Sequence, residues 1–238
     1  LLRIAMDTPL RENRLLAALP IRERDRLTAR MKDVTFNLKD VVYAAGGSID
    51  YVYFPRSGVL SAVIVMLDGS TVEVGAIGSE GAAGVAAFLG ESRSPEEVIC
   101  QVPRLVCRRM PAEEFAREVE RCAPLRQLLH GYLRVVLLAS ARFTACNRLH
   151  SVTERCARWL LAFQDRLGAD EFPLTQEFLA QMLGVRRATA TVSAAKLQAA
   201  GIITYRHGNM RIVDRRRLMQ AACECYGVIH HAFQRMIG

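Results

Sequence analysis

With 238 residues, 51% hydrophobic and 24% charged, the chain has the make-up of a soluble globular protein long enough for one large domain or two ordinary ones. Seven irregularly spaced cysteines read as reduced thiols rather than a disulfide framework, the opening LLRIAMDTPLRENRLL is too charged for a signal peptide's apolar core, and the longest later apolar run, VVLLASA, is too short to span a bilayer. A cytoplasmic protein with no membrane partner is expected, and a formal net charge of +8 with a pI near 9.4 suggests a polyanionic partner instead.

In chain order, residues 10 to 32 carry Leu15, Leu16, Leu19 and Leu27 at helical spacing, and Pro20 divides them into two short helices. From Val34 to about Met110 the texture changes to short runs rich in valine, tyrosine and isoleucine: VVYAAGG, YVYFPRSG, VLSAVIVMLDGS, TVEVGAIG, VICQVP and LVCRRMP. Runs broken by turn residues about every 8 to 12 positions read as an antiparallel sandwich or barrel. Asp68-Gly69, between AVIVML and STVEVG, marks a tight hairpin whose two central positions both want φ > 0.

After Pro111 the helical period takes over and runs through LRQLLHGYLRVVLLASARFTACNRL, with Leu125, Leu128, Leu129, Tyr132, Val135, Val136, Leu138 and Ala139 in a wide apolar stripe. The helix lacks enough of its own domain to cover that stripe, so a partner subunit is expected against it. Ser151 and Glu154, in SVTE, form a capping box that opens the helix bearing Trp159 and Leu160. The expected domains are 1–123, a dimerisation helix over 124–150, and 151–238.

The last domain continues with FPLTQEFLAQML, Gly184 and VRRATATVSAAKLQAAG. Thr175 is a good N-cap, and Gly184 falls where a tight turn between two helices needs a permissive residue, which is helix-turn-helix spacing. GIITYRHGNMRIVD reads as two short strands around a turn at His207 to Asn209, the wing of a winged helix, and Asp214 caps a final helix containing RRRLMQAACECYG. From Arg186 to Arg217 eight basic residues stand against one acid, a charge of +7 within 32 residues. Small side chains behind the paired Arg186 and Arg187 suit a helix that enters the major groove of DNA. Arginine's planar fork bonds a guanine's O6 and N7 together, a contact worth roughly 1 to 3 kcal/mol of discrimination. Thr189 and Thr191 are candidates for a phosphate or a thymine methyl, and Arg186, Arg206 and Arg211 for phosphates.

The segment LTQEFLAQMLGVRRATATVSAAKLQAAGIITYRHGNMRIVDRRRL resembles the DNA-binding domain of the Crp/Fnr transcription regulators, and the β-rich block with its long apolar helix resembles their cyclic-nucleotide-binding β-roll and dimerisation helix. The resemblance covers essentially the whole chain and implies an α+β fold: an N-terminal antiparallel β-roll, a long dimerisation helix and a C-terminal winged helix-turn-helix domain. It further implies a homodimer that places two recognition helices in successive major grooves of double-stranded DNA, takes an effector signal through the β-roll, and works with RNA polymerase. Thr175 matches a family position near the DNA backbone, and Arg187 matches the recognition arginine. Ala188 stands where many members carry a base-reading glutamate and Val192 where some carry a second arginine, so the target sequence does not follow by analogy.

GSEGAAGVAAFLGESRSPEEV occupies the place of the family's phosphate-binding cassette, and Glu80 matches the glutamate that holds the ribose. The rest is degenerate and reads as a glycine-rich turn and short helix kept for packing. Aligning the following strand on Val98 puts Ser94 and Pro95 at the places of the family's phosphate-binding arginine and serine, with Arg93 one residue early. Ser140 is followed by Ala141 where a pair of hydroxyls would meet adenine. A site lacking that arginine is not expected to take cyclic AMP, and the effector stays unassigned.

No Ser/His/Asp set, metal triad or phosphate loop appears at usable spacing, so no catalytic residue, cofactor or enzyme activity is expected. Iron–sulfur sensing in the family relies on N-terminal cysteines, whereas the first here is Cys100. All seven cysteines read as buried small hydrophobes. Cys223 and Cys225, two apart on the expected final helix, diverge by about 200° and do not easily chelate one ion. His230 and His231 read as exposed helix residues, and no metal site is expected. Two other functions compete: a small-molecule receptor that uses the β-roll alone, and a nucleic-acid architectural protein whose binding ignores sequence.

Overall fold

The computed structural model describes residues 11–238; the first ten residues, including most of the charged opening, lie outside them. The chain divides into two compact units. Of the described residues, the first comprises those up to Val63, Gly75–Arg134 and Arg235–Gly238; the second comprises Ile64–Val74 and Val135–Gln234.

The first unit opens with α1 (Arg14–Ala17) and α2 (Ile21–Thr28), separated by Pro20 as the sequence suggests. Asn13 is buried and stitches this corner together: its amide donates to the carbonyls of Pro55 and Gly81 at 3.0 and 2.9 Å, while its Oδ1 caps α1 through the Leu16 amide at 3.0 Å. The strands are β1 (Lys32–Phe36), β2 (Val41–Tyr43), β3 (Tyr51–Pro55), β4 (Leu60–Val65), β5 (Thr71–Ile77), β6 (Glu97–Cys100) and β7 (Leu105–Pro111). They form a three-stranded sheet ordered β1-β7-β3 and a four-stranded sheet ordered β2-β6-β4-β5. Antiparallel registers such as Tyr51↔Pro111 and Leu60↔Cys100 make this the expected roll. Val52 and Phe54 on one face of β3 and Tyr53 on the other are all buried, because rows of β-branched and aromatic residues fill both sides of the strand. Tyr53 packs among the rings of Phe36, Tyr43 and Tyr51. Within α3 (Ala112–Arg121), the buried Glu118 accepts from Arg30 Nη1 at 2.6 Å and pairs with Arg26 at 3.1 Å, which ties α3 to α2 and the turn that follows it.

The hairpin between β4 and β5 departs from the tight turn that Asp68-Gly69 suggests. Only Gly69 has a positive φ, 80°, and the turn closes through Met66 N–H to Ser70 O at 2.8 Å and Gly69 N–H to Met66 O at 2.9 Å. The Asp68 carboxylate accepts from the Ser70 amide and hydroxyl, which holds Asp68 at an ordinary negative φ and lengthens the loop.

Helix α4 (Ala123–Leu149) contributes its first half to one unit and its second half to the other. Leu125, Leu129, Tyr132, Val135 and Ala139 are buried within the chain itself, so the expected need for a partner against the whole stripe is corrected. What remains outward is narrower: Leu137 is 70% exposed and Leu138 36%.

The second unit adds α5 (Val152–Leu167), β8 (Glu171–Pro173), α6 (Gln176–Leu183), α7 (Arg187–Ala199), β9 (Ile203–Arg206), β10 (Asn209–Ile212), α8 (Arg215–Ala221) and α9 (Cys225–Ile237). The capping box is present in full, with Ser151 Oγ accepting from the Glu154 amide and Glu154 accepting from the Ser151 amide. Trp159 stacks on Phe163, which meets Phe172 edge-on, and Leu160, Leu179, Leu197, Met210 and Leu218 complete the core. The single final helix expected after Asp214 is two helices. Asp214 caps α8, but the backbone turns extended at Ala222, and α9 restarts at Cys225. A continuous helix would send Cys223 and Cys225 to different sides, whereas the break lets both thiols be buried.

Candidate nucleic-acid interface

Helices α6 and α7 meet at Gly184, whose φ of 62° ends α6 in the left-handed conformation. The Val185 amide then reaches back to the Ala180 carbonyl at 3.0 Å. Buried Arg155, from α5, donates through Nη2 to the Leu183 carbonyl, so the last turn of α6 is held from beneath. Thr175 Oγ1 caps α6 by accepting from the Phe178 amide at 3.1 Å. The tip of the β4–β5 hairpin joins this unit: Trp159 Nε1 donates to Glu73 Oε1 at 2.9 Å, and Val72 lies against Gly184.

Helix α7 begins at Arg187 with Arg186 as N-cap, no side-chain cap and no acid in its first turn. At about 100° per residue, the buried Ala190, Ser193, Ala194 and Leu197 define one face, and Ala188, Val192, Ala195 and Ala199 the opposite one. All four of the latter are exposed. The small residues therefore serve two purposes, since half of them face inward and let α7 approach its neighbours closely. Arg186, Arg187, Thr189 and Lys196 flank the outer line and are exposed. Thr191 is different: its hydroxyl bonds to Gln176 Oε1 at 3.0 Å and to its own helix's Arg187 carbonyl at 2.9 Å.

The wing is β9 and β10 joined at His207 and Gly208, with φ of 50° and 76°, the pair of positive values that a two-residue turn requires. Tyr205 is half-buried, whereas Ile203, Met210 and Ile212 face the core, and Arg206 and Arg211 are exposed. β8 completes a three-stranded sheet, placing Glu171 opposite Arg211. Not all of the +7 window is available to a ligand. Arg215 bonds to Gln164, to Asp165 at 2.7 Å and to Tyr226 Oη at 2.7 Å, which is a structural role. Burial, helped by Asp165, pushes the Tyr226 phenol up to about 12, so it remains a neutral donor to that carboxylate. His230 pairs with Asp165 at 3.3 Å, whereas His231 is exposed.

The candidate effector residues are each engaged locally. Buried Glu80 accepts from the Gly78 amide at 3.3 Å. Exposed Arg93 donates to the Gly46 carbonyl at 2.7 Å, and the Ser94 hydroxyl donates to the Glu96 carbonyl at 2.8 Å. Ser140 is exposed on the part of α4 that belongs to the second unit. All seven cysteines are free and buried. Sequence reasoning did not foresee that Cys146, His150, Cys223 and Cys225 come together; the C-x-C pair and the i, i+4 pair are each too weak a signal alone.

A winged helix-turn-helix with an exposed basic helix start, in a chain that also carries an antiparallel β-roll, defines a DNA-binding regulator. The model of the Crp-like helix-turn-helix domain matches residues 154–221, and that of the cyclic nucleotide-binding domain matches residues 33–122. The chain belongs to the Crp/Fnr family of transcription regulators. Its fold is similar to that of FixK2 from Bradyrhizobium japonicum, at 15% identity and a TM-score of 0.70, over 81% of this chain and 98% of that one. It is likewise similar to the c-di-GMP responsive global regulator CLP of Xanthomonas campestris, at 19% identity and a TM-score of 0.66, over 81% and 99% of the two chains. A Crp/Fnr-family transcriptional regulator of Eubacterium rectale aligns at 17% identity and a TM-score of 0.67, over 87% and 96%. At these identities the likeness is one of fold. No curated protein matches the sequence. Among the described residues no helix is long and apolar enough to cross a membrane.

Proposed function

We propose that the protein is a cytoplasmic homodimer that reads a specific duplex sequence through α7, working with RNA polymerase and catalysing no reaction of its own. One observation carries the reading. Arg186 and Arg187 stand exposed at the positive end of a helix dipole with no acid in the first turn. That arrangement is unfavourable for an isolated surface and is relieved by a polyanion. Behind them the outer line of Ala188, Val192 and Ala195 is narrow enough to lie in a major groove, where methyl groups meet thymine methyls.

Within this reading Arg187 reads a base, while Arg186, Thr189 and the wing's Arg206 and Arg211 meet phosphates. Thr175, whose hydroxyl is spent on its cap, presents backbone to the DNA, and Thr191 orients Gln176. Exposed Leu137 and Leu138 on α4 form the dimer seam. Arg93, Ser94 and Glu80 are held by local hydrogen bonds, which supports either no effector or one other than cyclic AMP.

Selection of binding sites from random duplexes tests the reading. Arg187→Ala should relax preference at one base pair of each half-site by about 1 to 3 kcal/mol. Arg211→Ala should weaken all sequences alike and reduce the salt dependence. An unchanged selection for Arg187→Ala removes it as a base reader, and binding indifferent to sequence in the parent protein makes this an architectural protein instead.

A further inference from the structure

We infer that Cys146, His150, Cys223 and Cys225 form a mononuclear metal site of the zinc type, with three thiolates and one imidazole. Among the described residues, these four bring one ligand atom each to within 4.8 Å of one another. Cys146 Sγ lies 3.5 Å from Cys223 Sγ, and Cys225 Sγ lies 3.8 Å from His150 Nδ1. A tetrahedral ion with metal–sulfur bonds of about 2.3 Å sets its ligands about 3.7 Å apart, so the group needs only small side-chain adjustments to close on one. An iron–sulfur cubane spreads its ligands over separate irons and needs a wider frame. A disulfide would use two of these side chains, whereas four converge.

Each element is shaped for that convergence. Cys146 and His150 are one turn apart at the end of α4, where the His150 amide still donates to the Cys146 carbonyl at 3.1 Å, so both project from one side. Cys223 and Cys225 straddle the break between α8 and α9, the local departure that allows both to turn inward. The three sulfurs are buried together. His150 presents Nδ1 to the sulfurs and pairs through Nε2 with Glu224 at 3.1 Å, the carboxylate–histidine arrangement that fixes a ligating ring's tautomer. Glu224 is exposed and His150 partly so, which leaves a path for the ion from solvent. Soft sulfur with one imidazole favours zinc over magnesium or calcium. On binding, each thiol releases its proton to solvent as its sulfur takes the ion. The site is independent of which DNA sequence the protein reads, and it would fasten the end of α4 to the α8–α9 corner.

The test uses the full chain, purified with reductant and stripped with a chelator. One zinc per chain should be found by elemental analysis after reloading and dialysis. Cobalt titration should give the sulfur-to-metal charge-transfer and ligand-field bands of a tetrahedral thiolate site, reversed by zinc. Cys146→Ser and Cys223→Ser should each weaken binding by about 100-fold or more, and Glu224→Gln by about 10- to 100-fold without unfolding the chain. Should a cysteine variant fold poorly, the parent protein still decides: zinc should shield Cys146, Cys223 and Cys225 from alkylation, as mapped by mass spectrometry. Absent cobalt bands, equal alkylation with and without zinc, bound inorganic sulfide with iron, or a Cys146–Cys223 disulfide formed in place of metal binding would each overturn the proposal.

Discussion

Replacing Gly184 with alanine should destabilise the second unit by about 2 to 4 kcal/mol, through two separable effects. Holding an L-residue at the φ of 62° costs about 1 kcal/mol. The new Cβ would also stand 2.8 Å from Val72 Cγ2, well inside ordinary carbon–carbon contact, and overpacking of that kind costs about 1 to 3 kcal/mol. Gly208, at φ 76°, supplies the control, because a Cβ there meets nothing within 4 Å. Gly208→Ala should therefore show the backbone strain alone, about 1 kcal/mol. Adding Val72→Ala to Gly184→Ala should remove the steric share and leave the strain, a coupling that a double-mutant cycle isolates. Trp159 is the sole tryptophan and stacks on Phe163 at 4.8 Å inside this unit, so its fluorescence during urea unfolding reports the relevant transition. Equal losses for the two glycine variants, or no recovery with Val72→Ala, would refute the reasoning.

Leu137→Asp with Leu138→Asp should split the proposed dimer in sedimentation while leaving the fold intact, whereas Val135→Asp should unfold the chain because Val135 is already buried within it. Burial pushes the Cys100 thiol up to about 11 and Cys156 up to about 12, so neither should react with iodoacetamide at pH 8 in the native protein, and both should react in urea. Calorimetry with cyclic AMP should show no saturable heat at concentrations about 100 times a micromolar dissociation constant. Saturable binding that is lost in Arg93→Ala would show that this side chain leaves the Gly46 carbonyl for the ligand.

Much of the DNA-facing unit was legible because its signals are local. Ser151 with Glu154, Thr175 before α6, Gly184 and the His207-Gly208 turn each announce a backbone state within a few residues. Features set by distant partners were not. Arg215 counts as a free charge along the chain, yet Asp165 and Gln164 claim it from 50 and 51 residues away. The stripe on α4 reads as one wide face, but which part the chain covers for itself depends on how the rest of the molecule folds. Asp68-Gly69 marked the β4–β5 hairpin but not its turn geometry, because Ser70 offers the Asp68 carboxylate a forward bond that a tighter turn would forgo. The expected final helix is broken around Cys223, and the break lets both Cys223 and Cys225 be buried.

The meeting of Cys146 with Cys223 joins positions 77 residues apart, one before and one after the helix-turn-helix segment of residues 154–221. The polypeptide thus returns after that segment to the place it left before it, and everything between forms one closed loop. Bringing the ends of a loop that long together costs an unfolded chain about 4 kcal/mol of entropy. A durable link between the two would carry that cost in advance for α5, the wing and α7 alike. Segments that touch neither cysteine would then resist unfolding through topology alone, and a cut anywhere in the loop would cancel the gain.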